Sequence, residues 1–158
     1  MNSTTQKALQ VLIDDWDGLF PVNPVAIAKK AGINVKAVRD LGYSGKAFIK
    51  DGVPVIEYND SDSDLRKRFT VAHELGHHLL NHTDSGHQFR DDPKAFSINV
   101  PSSTEVEANK FAAELLMPEV AVKHFVFKEG ITSLPELAER FAVSTVAMQF
   151  RLKNLGLL

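Results

Sequence analysis

The sequence predicts an α+β fold that is mostly helical, on three observations. Apolar residues recur at helical spacing through most of the chain. Only the neighbourhood of residues 33–58 carries short β-branched runs, and two of these flank Asp51-Gly52, a strong hairpin signal. The closing residues read as helix, tight turn at Val143-Ser144, and second helix, the layout of a helix-turn-helix. At 158 residues and 44% hydrophobic content the chain can bury a proper core. Residues 1–130 are expected to form the main domain, with 131–158 a helical pair packed on it.

Taken in order, residues 4–16 place Ala8, Leu9, Val11, Leu12 and Trp16 at helical spacing. Asn23 is a suitable N-cap for a short helix with Pro24 at its first position, ending near Gly32. Ile33 to Val38 reads as a strand. Lys46 to Lys50 and Val53 to Tyr58 read as a hairpin, and Pro54, which cannot donate a ladder hydrogen bond, predicts that its strand lies at a sheet edge. Such an edge could receive an extended peptide as an added strand.

The polar run Asn59 to Asp64 caps a helix expected to start between Ser61 and Leu65. This helix carries Val71-Ala-His-Glu-Leu-Gly-His-His-Leu-Leu80. Residues four apart share a helix face, so His73 and His77 can present two imidazoles to one point. Two such imidazoles, a third protein ligand and an open position make a catalytic zinc centre. Glu74 is displaced from the ligand line toward the place of a bound water and reads as the general base. Gly76, costing roughly 1 kcal/mol against Ala inside a helix, implies a close backbone approach.

From Thr83 to Ser103 no period is visible, and a loop bordering the cleft is expected. Ser102-Ser-Thr104 then caps a helix over Glu105 to Met117, stopped by Pro118, with Ala108, Phe111, Ala112 and Leu115 facing inward. Glu105 shares that inward face and is the choice for third ligand, with Asn109 one turn later to hold a ligand histidine. Glu107, rotated away, is the alternative. His78 and His82 are expected to be a surface pair, because helical spacing turns them about a hundred degrees from His73. His87, Tyr43 and Tyr58 are candidates to stabilise an oxyanion.

The absence of cysteine leaves only His, Asp and Glu as metal ligands and excludes a disulfide framework. No segment is long and apolar enough to span a bilayer, and no leader-like N-terminus is visible, so a cytoplasmic location is expected. A net charge of −2 supplies no bulk attraction to nucleic acid. The second closing helix offers only Arg151, Lys153, Gln149 and Asn154 for such contacts, so direct DNA binding is not expected and packing on the main domain is.

With these residues in view, the sequence resembles the ImmA/IrrE family of zinc metallopeptidases. The resemblance is carried by Arg68-Phe-Thr-Val-Ala-His-Glu-Leu-Gly-His-His-Leu-Leu, by Glu105-Val-Glu-Ala-Asn-Lys-Phe-Ala-Ala-Glu-Leu-Leu-Met-Pro118, and by Phe141-Ala-Val-Ser with Arg151-Leu-Lys-Asn-Leu-Gly. It implies a gluzincin-like helical core around a small twisted antiparallel sheet, Zn2+ as cofactor, and Glu105 as third ligand through the family's Glu-x-x-Ala-Asn motif. It further implies an endopeptidase of bacteria or phages that cleaves a helix-turn-helix repressor and so controls stress or mobile-element genes. The rival expectation is a metal-stabilised protein that binds a repressor, in the manner of an anti-repressor or a toxin–antitoxin partner, with little turnover.

Overall fold

The computed structural model describes residues 2–83, 89–91 and 102–158. Helix α1 spans Ser3–Asp15 and α2 Pro24–Lys30, the latter capped by the Asn23 side chain accepting from the Ala26 amide. Strands β1 (Asn34–Val38), β2 (Gly45–Lys50) and β3 (Val53–Asn59) follow. Next come the long helix α3 (Asp64–Leu79), the three-residue strand β4 (Phe89–Asp91) and α4 (Ser103–Leu116). Helix α5 (Glu119–Lys123) runs into one π-helical turn, His124–Lys128, before α6 (Leu134–Phe141) and α7 (Thr145–Asn154). The fold is α+β and mostly helical.

The hairpin forms as its sequence predicts. Lys50 pairs with Val53, and Asp51 and Gly52 both take positive φ, 52° and 77°, as a two-residue turn matched to strand twist requires. Its place in the sheet does not follow the prediction. The strand order is β1-β3-β2-β4, so the strand holding Pro54 is internal rather than at an edge. Proline is tolerated because β1 pairs with β3 only from Val55 onward, leaving Pro54 beyond its reach and opposite Ile49 of β2 alone. The pairing of β1 with β3 is parallel, which makes the sheet mixed rather than wholly antiparallel. Strand β4, within a stretch read as loop, pairs with β2 at the other edge.

One apolar cluster runs through the protein, from Ala8 and Leu12 of α1 through Ile56 of β3, Ala72 and Leu75 of α3, and Phe111 and Leu115 of α4, to Phe141 of α6 and Met148 of α7. Helix α3 lies at its centre. Sheet strands cover one flank and α4 the other, so every residue from Thr70 through His78 is buried. Gly76 permits the α3–α4 approach: a Cβ there would stand 3.1–3.2 Å from the Phe111 side chain. Arg68 ties α3 to distant segments, donating to the Val22 carbonyl at 2.7 Å and the Ala142 carbonyl at 3.1 Å.

Candidate metal centre

Helix α3 starts at Ser63, whose hydroxyl accepts from the Arg66 amide, with Asp64 in the first turn to suit the helix dipole. Nearly three turns after the cap, His73 and then His77 stand on one face, and their Nε2 atoms are 3.2 Å apart. From α4, itself capped by the Ser102 hydroxyl, Glu105 reaches the same point. Its Oε2 lies 3.0 Å from His73 Nε2 and its Oε1 2.8 Å from His77 Nε2. Helix packing thus brings together two residues of α3 and one of α4 that are about thirty positions apart in the chain.

The three fit a metal. Ligands 2.0–2.1 Å from a tetrahedral ion are separated by roughly 3.3 Å, and the observed spacings of 2.8–3.2 Å approach those edges. The donor set of two imidazoles and a carboxylate suits zinc, though the same groups accept other divalent transition ions. The electrostatics agree with this use. Burial pushes the His77 imidazolium down to about 4, against the opposing pull of Glu105, so the ring is neutral at pH 7 with a lone pair to offer. Burial alone would raise the Glu105 carboxyl, but its hydrogen bonds with His73 and His77 outweigh that and hold it at about 2. Glu105 is therefore anionic.

Surrounding groups orient the imidazoles. Asn109 Oδ1 lies 2.8 Å from His73 Nδ1, the placement expected from its position one turn after Glu105. Phe69 stacks on the His73 ring at 6.2 Å between centroids. Glu74 is fully buried and points toward the start of β2, where a Cβ on Gly45 would lie 3.4 Å from its Cγ. A close-packed glycine thus marks the wall facing Glu74.

His78 and His82 are not a surface pair. His78 is buried, with Nδ1 3.0 Å from the Thr83 hydroxyl and Nε2 2.8 Å from the Val55 carbonyl, which links the helix to β3. His82 Nδ1 stands 2.8 Å from His77 Nδ1, and His82 Nε2 stands 3.0 Å from Glu107 Oε2. Helical spacing misplaced His82 because α3 has already ended. Asn81 adopts φ 63°, the His82 amide bonds the His77 carbonyl and the Asn81 amide bonds the His78 carbonyl, a Schellman closure that folds the chain back over the last turn. An asparagine just past a helical run was the available signal. Glu107, the alternative third ligand, is engaged by His82 instead.

Of the oxyanion candidates, Tyr58 lines a separate cavity of about 290 Å3 with Asn23, Asp64 and Arg68. Tyr43 is half-buried two residues before Gly45. His87 falls outside the described residues. A second, larger groove of about 1270 Å3 runs between α3, α4 and α7, with Phe69 and Asn109 on one wall and Val146 and Phe150 on the other. Among the described residues no helix is long and apolar enough to cross a membrane.

The chain is similar to known proteins. The IrrE N-terminal-like domain family of M78 peptidases matches residues 28–153. The radiation response metalloprotease IrrE of Deinococcus radiodurans is 32% identical over 124 residues, covering 77% of this chain and 37% of that protein. An uncharacterized immunity region protein 2 of Bacillus phage phi105 is 36% identical over 70 residues, 44% of this chain and 42% of its own length. The chain thus spans well under half the length of these relatives. A solved structure described as a Mycobacterium tuberculosis transcriptional regulator has the same fold, with a TM-score of 0.60 at 15% identity over 96% of this chain and 46% of that one.

Proposed function

Because the chain belongs to the ImmA/IrrE family of M78 metallopeptidases, we propose that it is a cytoplasmic zinc endopeptidase whose substrate is a helix-turn-helix transcriptional repressor. The observation that carries the reading is the convergence of His73, His77 and Glu105 at one point with Glu74 buried beside them on the same helix. His73 Nε2, His77 Nε2 and the Glu105 carboxylate would hold the ion. Zinc bound there would polarise a scissile carbonyl and lower the pKa of its water to about 7.

The remaining chemistry belongs to the chain. Glu74 accepts the proton of the attacking water at a carboxylate oxygen and delivers it to the leaving amide nitrogen. Its burial between α3 and β2 keeps the carboxylate in one orientation. Asn109 restrains the His73 ring through its Nδ1, so that Nε2 stays directed at the ion. The phage immunity-region relative favours a repressor as the class of partner.

The second reading, a repressor-binding protein with little turnover, has one observation in its favour. The groove beside α7 exposes apolar Leu65, Val106, Val146 and Phe150, a surface suited to a partner helix.

One experiment separates the two. The zinc-loaded protein is incubated with helix-turn-helix repressors from its own genome, in parallel with Glu74→Gln, and the mixture is read by intact mass. Fragments formed by wild type and reduced on the order of 100-fold or more by Glu74→Gln, with zinc content unchanged, are the expected result. An intact repressor that co-purifies with both forms selects the binding reading.

A further inference from the structure

The contact between His82 and Glu107 has no part in holding the ion, yet it connects directly to a residue that does. His82 Nδ1 is 2.8 Å from His77 Nδ1, and His82 Nε2 is 3.0 Å from Glu107 Oε2. Proton directions along this chain are constrained. A carboxylate only accepts, so His82 carries its proton on Nε2 and donates it to Glu107. Its Nδ1 is then a bare acceptor, which favours a His77 proton on Nδ1. The Glu105 carboxylate, 2.8 Å from His77 Nε2, competes for that one proton, so the form favoured from the His82 side is the one that leaves a lone pair on Nε2, the atom that faces Glu105 and His73.

We propose that His82 and Glu107 are positioning residues that select the metal-competent tautomer of His77 and fix its ring, in series, from the rim of the site inward. The proposal rests on the metal-site reading given above. Three structural features support it independently of any ion. The Schellman closure at Asn81 places the His82 backbone over the last turn of α3, with its amide on the His77 carbonyl, so ring and backbone of His82 both address His77. The His82 side chain is 7% exposed while Glu107 is 48% exposed, so the carboxylate anchors the chain where water stabilises its charge. The two ligand histidines are also treated alike: His73 Nδ1 meets the Asn109 side-chain oxygen, and His77 Nδ1 meets a histidine whose other ring nitrogen is turned to Glu107. An asparagine supplies an oxygen acceptor outright, whereas a histidine needs the third residue.

The test compares wild type, His82→Ala, Glu107→Ala, Glu107→Gln and the double alanine variant. Zinc affinity is measured by competition with a chromophoric chelator, and the histidine tautomers by long-range 1H–15N spectra of the zinc-loaded proteins. Thermal melts of the metal-free forms control for folding. Glu107 is half-exposed, so its replacement leaves the fold intact even where His82→Ala does not.

Affinity should fall by about 10- to 100-fold in both single alanine variants. The double variant should be no weaker than His82→Ala, because the residues act in series. Glu107→Gln should stay near wild type, since its side-chain oxygen accepts the same proton, and wild-type His77 should carry its proton on Nδ1. Unchanged affinity in Glu107→Ala, or a loss in Glu107→Gln as large as in Glu107→Ala, overturns the series mechanism while leaving the metal site standing. A wild-type chain that takes up no zinc overturns both.

Discussion

His77 concentrates the energetics of the site in one side chain. It is fully buried, and burial together with the neighbouring imidazoles holds its pKa near 4 against an ordinary 6.5. Between those values the unfolded chain binds a proton that the folded chain refuses, so folding stability falls as pH drops from about 6.5 to 4. The loss is complete below pH 4 and amounts to roughly 3 kcal/mol for this group. Glu105, also held low, adds loss in the same direction at still lower pH. Urea denaturation of chelator-stripped protein at pH 7 and pH 4.5 should therefore show a lower midpoint at the acid value, and His77→Leu should flatten the difference. A midpoint independent of pH in wild type would contradict the burial argument. That His73 and His77 would share a face of α3, and that Glu105 would lie on the inward face of α4, was legible from spacing, because a helix repeats every 3.6 residues; that the two faces meet was not. The place of His82 was not, because helical geometry stops at a cap.

Among the elements, α3 and β2 define the walls of the site. Gly45 opens β2 against α3, and a Cβ there would collide with the Thr70 methyl and stand 3.1 Å from the Glu57 carbonyl oxygen. Neither can yield, since Thr70 is fully buried and Glu57 belongs to the paired strand. Gly45→Ala should therefore cost about 1–3 kcal/mol in chemical denaturation and reduce activity further by displacing Glu74. Wild-type activity with the alanine would show that Glu74 is not held by this wall. The hairpin was readable because Asp-Gly permits two successive positive φ values. The position of β3 inside the sheet was not readable, since pairing with β1 depends on how the chain from Val38 to Gly45 crosses over.

For the whole molecule, Arg68 joins what the chain separates. Its guanidinium reaches the carbonyls of Val22, before α2, and of Phe141 and Ala142, at the end of α6. Phe141, Met148 and Leu152 of the closing helices also belong to the central apolar cluster. Arg68→Met removes charge-assisted hydrogen bonds and leaves buried carbonyls without their donor, at an expected cost of about 2–4 kcal/mol. Because one core runs through both parts, thermal unfolding followed by near- and far-ultraviolet circular dichroism should remain a single coincident transition in wild type. Two separated transitions would mark the closing helices as an independent unit. On its own the sequence determined most of the helices, the hairpin turn and the faces that carry His73, His77 and Glu105, because caps, turn residues and periodicity act over a few residues. Only the tertiary structure decided that β3 is internal, that α3 is buried on all sides from Thr70 to His78, that Arg68 is a tie and that Glu107 faces His82, because each of these depends on which distant surfaces pack together.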